Sequence, residues 1–319
     1  MAPSIFYRLQ YSPILAQMVI IRRCNLSCGY CSEYDKTSKP VLTEALERQL
    51  EQLVELGTFG ICLTGGEPTL HPDLPRLIRK CRDLGFLQTG MITNGFLLRP
   101  EVIDQLNDAG LQKMQISIDG VYANETTQKV LNNLRKRLQW LSERARFSVT
   151  VSAVIGSCPP REALEVVNYV HMLGFRPRVL FVHDQHGRLK LGYEELQAYK
   201  QIVRRLPKIS IESAGYRRQM IQDGSAPFKC RAGSRYLYID EHGQVGWCSQ
   251  TRERASRPLL EYTLQDLKDQ FYSYKPCHAT CTLGCVRSAS ELDRWRRQEG
   301  TTARVTELIA AGPRAVSDW

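Results

Sequence analysis

Between residues 17 and 206 the chain alternates between two hydrophobic rhythms. Short continuous apolar runs read as buried strands: QMVIIRR (17–23), FGICLTG (59–65), GMITNG (90–95), KMQISIDG (113–120), RFSVTVSAVI (146–155) and RVLFV (178–182). Between them, apolar residues recur three and four positions apart, the spacing of a helix with one buried stripe. The first such segment, TEALERQLEQLVELG, carries Leu46, Leu50, Leu53 and Val54 on one face, opens at Thr43 and stops at Gly57. The same spacing predicts helices over 74–84, 101–109, 125–144, 161–173 and 193–206. Strands separated one by one by helices require a parallel α/β sheet with right-handed crossovers. Periodicity leaves two architectures open, an open doubly wound layer and a curved, incomplete barrel.

Polar residues collect where these strands end. The ends read Cys24, Cys28 and Cys31, then TGGEPTLH (64–71), ITNG (92–95), SIDG (117–120), GSCPP (156–160) and HDQH (183–186). In parallel α/β folds the loops at the carboxyl ends of the strands converge on a rigid sheet, so this set is one candidate active-site rim.

Composition narrows the chemistry. The chain has 319 residues, 43% of them hydrophobic, enough for a substantial core. It contains 11 cysteines with no export signal ahead of them, which favours metal ligation or redox chemistry in the cytoplasm over a disulfide framework. The apolar stretch PILAQMVII is broken by Gln17 and too short to span a bilayer. The net charge of +10 is spread over runs such as RKR at 135–137 and RWRR at 294–297. Such runs read as solvated helix faces, so they point to an anionic substrate or cofactor no less than to nucleic acid.

Three thiolates spaced C-x3-C-x2-C suit a soft metal. A structural zinc site takes four closed ligands, and no histidine stands in this loop. A four-iron cluster held by three cysteines instead leaves one iron open to a substrate or cofactor. The loop alone leaves both readings in place, beside that of plain buried cysteines.

The ordered combination goes further. C-x3-C-x2-C with Tyr30 before the third cysteine, followed by GGEP, TNG and SIDG, resembles the radical S-adenosylmethionine (SAM) superfamily over residues 17 to 206. The resemblance implies a partial (β/α)6, TIM-like barrel. It implies a 4Fe-4S cluster on Cys24, Cys28 and Cys31, with the amino and carboxylate groups of SAM on the open iron. It also implies that Gly65 and Gly66 let the backbone approach the cofactor, that Glu67 accepts from SAM's ammonium, and that Ser117 and Asp119 meet its ribose hydroxyls or carboxylate. Tyr30 would lie near the adenine and Asn94 near the methionyl end. Taken alone, Asn94-Gly95 and Asp119-Gly120 also read as ordinary turns. His71 reads as a loop residue bonded to backbone, and Cys62 and Cys81 as small core residues. Cys158, just past the fifth strand, is a candidate hydrogen-atom donor.

Five cysteines remain in the last third. CRAGSRYLYIDEHGQVGWC places Cys230 and Cys248 around two strand-like runs joined by a turn, and CHATCTLGC adds Cys277, Cys281 and Cys285. This resembles the SPASM and twitch auxiliary-cluster modules of radical SAM enzymes, though the full SPASM pattern has more cysteines. The resemblance implies one second 4Fe-4S cluster on four of the five thiols, with zinc as the alternative. The expected organisation is a barrel over 1–215, a cysteine-rich domain with a β-hairpin over 216–290 and a helical tail over 291–319.

The implied function is an oxidoreductase-like enzyme that reductively cleaves SAM and abstracts hydrogen from a peptide or small-molecule substrate. Oxidation, crosslinking or epimerisation would follow, with flavodoxin or ferredoxin as the reductant. The short stretch before the first strand weighs against the separate peptide-binding domain of many peptide-modifying relatives. The contrasting reading is a non-enzymatic zinc- or iron-sulfur-binding regulator of nucleic acid, which would bind with steep salt dependence.

Overall fold

All six expected strands form: β1 (Leu15–Ile21), β2 (Gly60–Gly65), β3 (Gln88–Thr93), β4 (Lys113–Ile118), β5 (Ser148–Ile155) and β6 (Arg176–Phe181). The computed structural model describes residues 9–183, 192–205, 226, 228–252 and 256–293. The intervening helices are α1 (Thr43–Glu55), α2 (Leu74–Asp83), α3 (Pro100–Asp108), α4 (Leu131–Arg144), α5 (Pro160–Met172) and α6 (Tyr193–Arg205). Three open with proline at their first turn, where a missing N–H costs nothing.

The sheet order from β6 back to β1 is sequential, and every neighbouring pair in it is parallel. A doubly wound layer must reverse its strand order at a switch point. This sheet winds one way throughout, as a barrel does, and β1 and β6 are not neighbours. The architecture left open by periodicity is therefore the partial TIM-like barrel. Met18, Ile20, Ile61, Leu63, Ile116 and Ile118 face outward into the helix stripes formed by Leu46, Leu50, Leu53, Leu77 and Leu106. By the two-residue alternation of strands, the opposite face turns Gln17, Cys62, Gln115, Ser117 and Asp119 to the interior.

One helix starts later than its periodicity suggests. Residues 125–130 form a loop ahead of α4 because Asn124 Oδ1 accepts from the N–H groups of Thr126 (2.8 Å) and Thr127 (3.0 Å). That local ring competes with helical bonding, and it places the Thr127 hydroxyl 2.6 Å from Asp119.

The C-terminal hairpin consists of β7 (Tyr236–Ile239) and β8 (Gln244–Gly246), turning at Gly243 with φ of 74°. It extends the barrel sheet, because β7 pairs in parallel with β1 from Leu15↔Tyr236 to Met18↔Ile239. A short β9 (Arg257–Pro258) follows, then α7 (Leu264–Tyr272), opened by a capping box between Thr263 and Asp266, and α8 (Gly284–Glu291). No helix among the described residues is long and apolar enough to cross a membrane. The boundary expected near 215, the rim residues 184–186 and the tail beyond Asp293 lie outside the described residues.

Candidate active site

The three-cysteine loop is fixed by backbone contacts. Cys24 N–H donates to Asp35 O (3.0 Å), Asp35 N–H to Arg22 O (3.1 Å), and Gly29 N–H to Thr126 O (2.8 Å). Lys36 closes it further, donating to the carbonyls of Cys24 (3.2 Å) and Leu26 (2.8 Å). Cys28 is buried; Cys24 and Cys31 are half-buried. Burial pushes the Cys24 and Cys31 thiols up, so without a cation beside them they stay protonated.

The donors around these sulfurs suit thiolate ligands. Leu26 N–H and Asn94 Nδ2 point at Cys24 Sγ from 3.4 and 3.6 Å, and Cys28 Sγ lies 3.7 Å from the Thr127 hydroxyl. N–H groups aimed at sulfur favour its anionic form, which is the form a metal binds. Among the described residues, no three or more Cys, His, Asp or Glu side chains are already assembled to hold a metal ion. The fit therefore rests on donor chemistry.

The following strand ends brace this loop. A Cβ on Gly65 would run into Ile21 O and one on Gly66 into Arg22 O, so both glycines are required by the approach of the chain to its own first strand. Glu67 ties two strand ends together. It is fully buried, and its oxygens take four donors: Thr69 N–H (3.1 Å), the Thr69 and Thr93 hydroxyls (2.5 and 2.7 Å) and Asn94 N–H (2.8 Å). Burial raises its pKa while these bonds lower it. Glu67 thus clamps the end of β2 to the end of β3. Replacing it with Gln turns an N–H₂ toward backbone donors and should cost roughly 2–3 kcal/mol of stability, read as a lower midpoint in urea unfolding at unchanged slope.

Asn94 forms the turn that its pairing with Gly95 suggests. Its Oδ1 accepts from Phe96 N–H (2.9 Å) in a turn through Gly95, with φ of 79°, while Nδ2 also reaches Asn25 Oδ1 (2.8 Å). His71 is bonded to backbone as expected, with Nε2 2.9 Å from Val41 O and Nδ1 accepting from Asp73 N–H (3.2 Å). Burial holds its pKa down, consistent with a neutral ring.

Asp119 is the hub on the opposite side of the loop. Its Oδ2 accepts from Tyr30 (2.7 Å) and Thr127 (2.6 Å), and Oδ1 lies 3.7 Å from Lys129 Nζ. Oδ1 is buried without a hydrogen bond, as is Ser152 Oγ, whose residue pairs in register with half-buried Ser117. Buried polar atoms left open inside the barrel are what a ligand's hydroxyls would satisfy. Lys129 lies 4.8 Å from the Tyr30 ring centre, so one ring face is covered by a cation. Burial, then the Asp119 carboxylate, raises the Tyr30 hydroxyl far above its usual range. The positions of Thr127, Lys129 and Ser152 beside this cluster were not legible, since nothing in their local sequence marks them.

Cys158 sits after β5 with Asn124 Nδ2 3.4 Å from its sulfur, and a Cβ on Gly120 would meet it. Burial, then Asp119 and Glu162, push this thiol up to about 11. Cys81 is buried in the core as expected, whereas half-buried Cys62 faces the barrel interior.

The structure divides the five C-terminal cysteines. Cys230, Cys248, Cys277 and Cys281 act on one another electrostatically. Burial pushes Cys230 up to about 11 and Cys248 to about 12. Lys275, 2% exposed, lies in the field of Cys230 and Cys277, a buried cation suited to an anionic thiolate group. Cys285 turns elsewhere: it acts on Cys62 and bonds to Tyr236, whose hydroxyl donates to Gln17 (2.6 Å) inside the barrel.

Arg22 and Arg252 both pair with Glu241, at 3.7 and 2.6 Å, and the Tyr238 hydroxyl bonds Glu33. These contacts clasp the first cysteine loop to the hairpin.

A one-way parallel barrel with three cysteines after its first strand, braced by the next three strand ends, defines a cluster-dependent enzyme of SAM. Residues 18–185 match the Radical SAM superfamily, and the chain belongs to it. Members of that family bind SAM and a 4Fe-4S cluster, and the non-enzymatic alternative is set aside. The chain is 36% identical over 151 residues to a PqqA peptide cyclase of Bradyrhizobium diazoefficiens, covering 45% of this chain and 39% of that one. It is 35% identical over 198 residues to a probable GTP 3′,8-cyclase of Sulfolobus acidocaldarius, covering 54% and 62%. It thus spans less than two thirds of these relatives. Among solved structures, Streptococcus suis SuiB bound to precursor peptide SuiA superposes with a TM-score of 0.60 at 17% identity, covering 83% of this chain and 66% of that one. Native anSMEcpe with bound AdoMet and a peptide gives 0.55 at 16% identity, covering 82% and 84%. At such identities these structures speak for the fold.

Proposed function

We propose that this chain is a radical SAM enzyme that modifies a peptide, with a second 4Fe-4S cluster beside the barrel. The placement of Cys24, Cys28 and Cys31 between Asn94 and Asp119 carries the reading. A cluster and SAM held there would supply radical chemistry able to remove a hydrogen atom from an unreactive carbon. The protein's own share is holding and shielding. Cys24, Cys28 and Cys31 hold the iron, Glu67 and Asn94 fix the loop that carries them, and Asp119 with Ser117 and Ser152 offers open polar atoms to the ribose. Tyr30 orients Asp119. Cys158, protonated on the rim, is the thiol suited to return a hydrogen atom.

Cys230, Cys248, Cys277 and Cys281 are the four ligands assigned to the second cluster, with Lys275 offsetting its charge. Similarity to PqqA peptide cyclase supports a peptide substrate. An electron from flavodoxin or ferredoxin, and the cytoplasm, where thiols stay reduced, complete the setting. Anaerobically reconstituted protein given reductant and SAM is expected to form 5′-deoxyadenosine. A preparation holding its full iron but forming none would remove the reading.

A further inference from the structure

Thr127 is 2% exposed, and its hydroxyl stands between Asp119 and the three-cysteine loop. The oxygen accepts from Lys129 N–H (3.1 Å). It has one proton to give and two acceptors within reach, Asp119 Oδ2 at 2.6 Å and Cys28 Sγ at 3.7 Å. The nearer one takes it, because a carboxylate draws a proton more strongly than a neutral thiol does. Backbone bonds hold the hydroxyl beside both. Asn124 Oδ1 accepts from Thr127 N–H (3.0 Å), Asp119 N–H donates to Lys129 O (2.7 Å), and Gly29 N–H, next to Cys28, donates to Thr126 O (2.8 Å). The proton can therefore change acceptor by turning about the Cβ–Oγ1 bond, with no movement of the chain.

Two changes turn it toward sulfur. Asp119 Oδ2 already accepts from Tyr30 (2.7 Å), while Oδ1 is buried without a hydrogen bond. A ligand hydroxyl arriving at Oδ1 draws on the same negative charge, so the carboxylate holds Thr127 less tightly. Cys28, once it ligates iron, is an anionic acceptor instead of a neutral thiol.

We infer that Thr127 is a positioning residue that links a ligand hydroxyl on Asp119 to the ease with which iron held by Cys28 takes up an electron. A hydrogen bond to a ligand sulfur stabilises the more negative, reduced state and so raises the reduction potential. Reduction is then favoured when SAM is in place and disfavoured when it is not. No bond is made or broken: the proton stays on Oγ1, and the one electron gained comes from a flavodoxin or ferredoxin, which is oxidised by one. The inference deepens the radical-enzyme reading and rests on it for the identity of the iron group and of the ligand at Asp119.

The test is the midpoint potential of the reconstituted full-length protein, followed by electron paramagnetic resonance without SAM and at saturating SAM. The signal that SAM alters belongs to the first cluster. SAM is expected to raise the native potential. In Thr127→Val, which keeps the shape and removes the hydroxyl, that rise should be smaller by about tenfold in the reduced-to-oxidised ratio, about 59 mV for one electron. Thr127→Ser, which restores the hydroxyl, should restore the native rise, an outcome that a packing role alone does not give. If Thr127→Val holds less iron, Thr127→Ala is measured in its place. An equal rise in the native and hydroxyl-free proteins, or no rise in the native protein, overturns the inference. Loss of iron or of SAM binding from both hydroxyl-free variants makes Thr127 a structural tie and overturns it as well. 5′-Deoxyadenosine is measured on the same native preparation. Its absence with the potentials as expected would fault the radical reading alone, and its presence with no effect of Thr127 the linkage alone.

Discussion

Anaerobically reconstituted protein with Cys24, Cys28 and Cys31 all changed to Ala is expected to hold about four fewer irons than the native chain and to form no 5′-deoxyadenosine. The loss should be complete because three thiolates are all that the protein supplies to such a cluster. The barrel itself should persist. The loop is tied by backbone bonds from Cys24 to Asp35 and from Gly29 to Thr126, none of which involves sulfur. Far-ultraviolet circular dichroism should therefore match the native protein while the iron count falls. Retention of all iron by the triple variant would place the cluster elsewhere and defeat the assignment.

The second large effect separates the C-terminal thiols. Cys230→Ala and Cys248→Ala should each lose about four irons, whereas Cys285→Ala should lose none, because a four-iron cluster is filled by four thiolates and Cys285 faces the barrel. Formation of 5′-deoxyadenosine without substrate should survive in all three variants, since it needs the first cluster alone. Conversion of the true substrate should fail in the first two. Iron retained by both Cys230→Ala and Cys248→Ala would replace the second cluster with zinc or a purely structural core. Iron lost in Cys285→Ala would return that thiol to the ligand set.

Much of this was legible because it depends on local pattern. The strands were placed within two residues at nearly every end, since each combines an apolar run with a glycine or helix stop beside it. The placement of the three cysteines, Glu67, Asn94 and Asp119 at the strand ends was legible because such a fold gathers polar groups there. Three things were not. The late start of α4 depends on one Asn124 ring of hydrogen bonds that helical spacing does not encode. The clamp that Glu67 makes between strands was not legible, because its partners Thr93 and Asn94 lie 26 and 27 residues away. Cys285 could not be told from its neighbours at CHATCTLGC, since only the turn into α8 decides which way each sulfur points.

The pairing of β7 with β1 sets an order of events in synthesis. Strand β1 emerges well before its partner, and one of its two edges stays unmatched until residues 236–239 follow more than two hundred positions later. Closing so long a loop is slow compared with pairing β1 to β2. During that interval LAQM at 15–18 is an unprotected edge of nascent sheet, a template for pairing with another chain. The hairpin that carries Cys230 and Cys248 at its ends is also the cover for that edge. The placement of Cys230 and Cys248 and the protection of the barrel from aggregation thus depend on the same piece of chain.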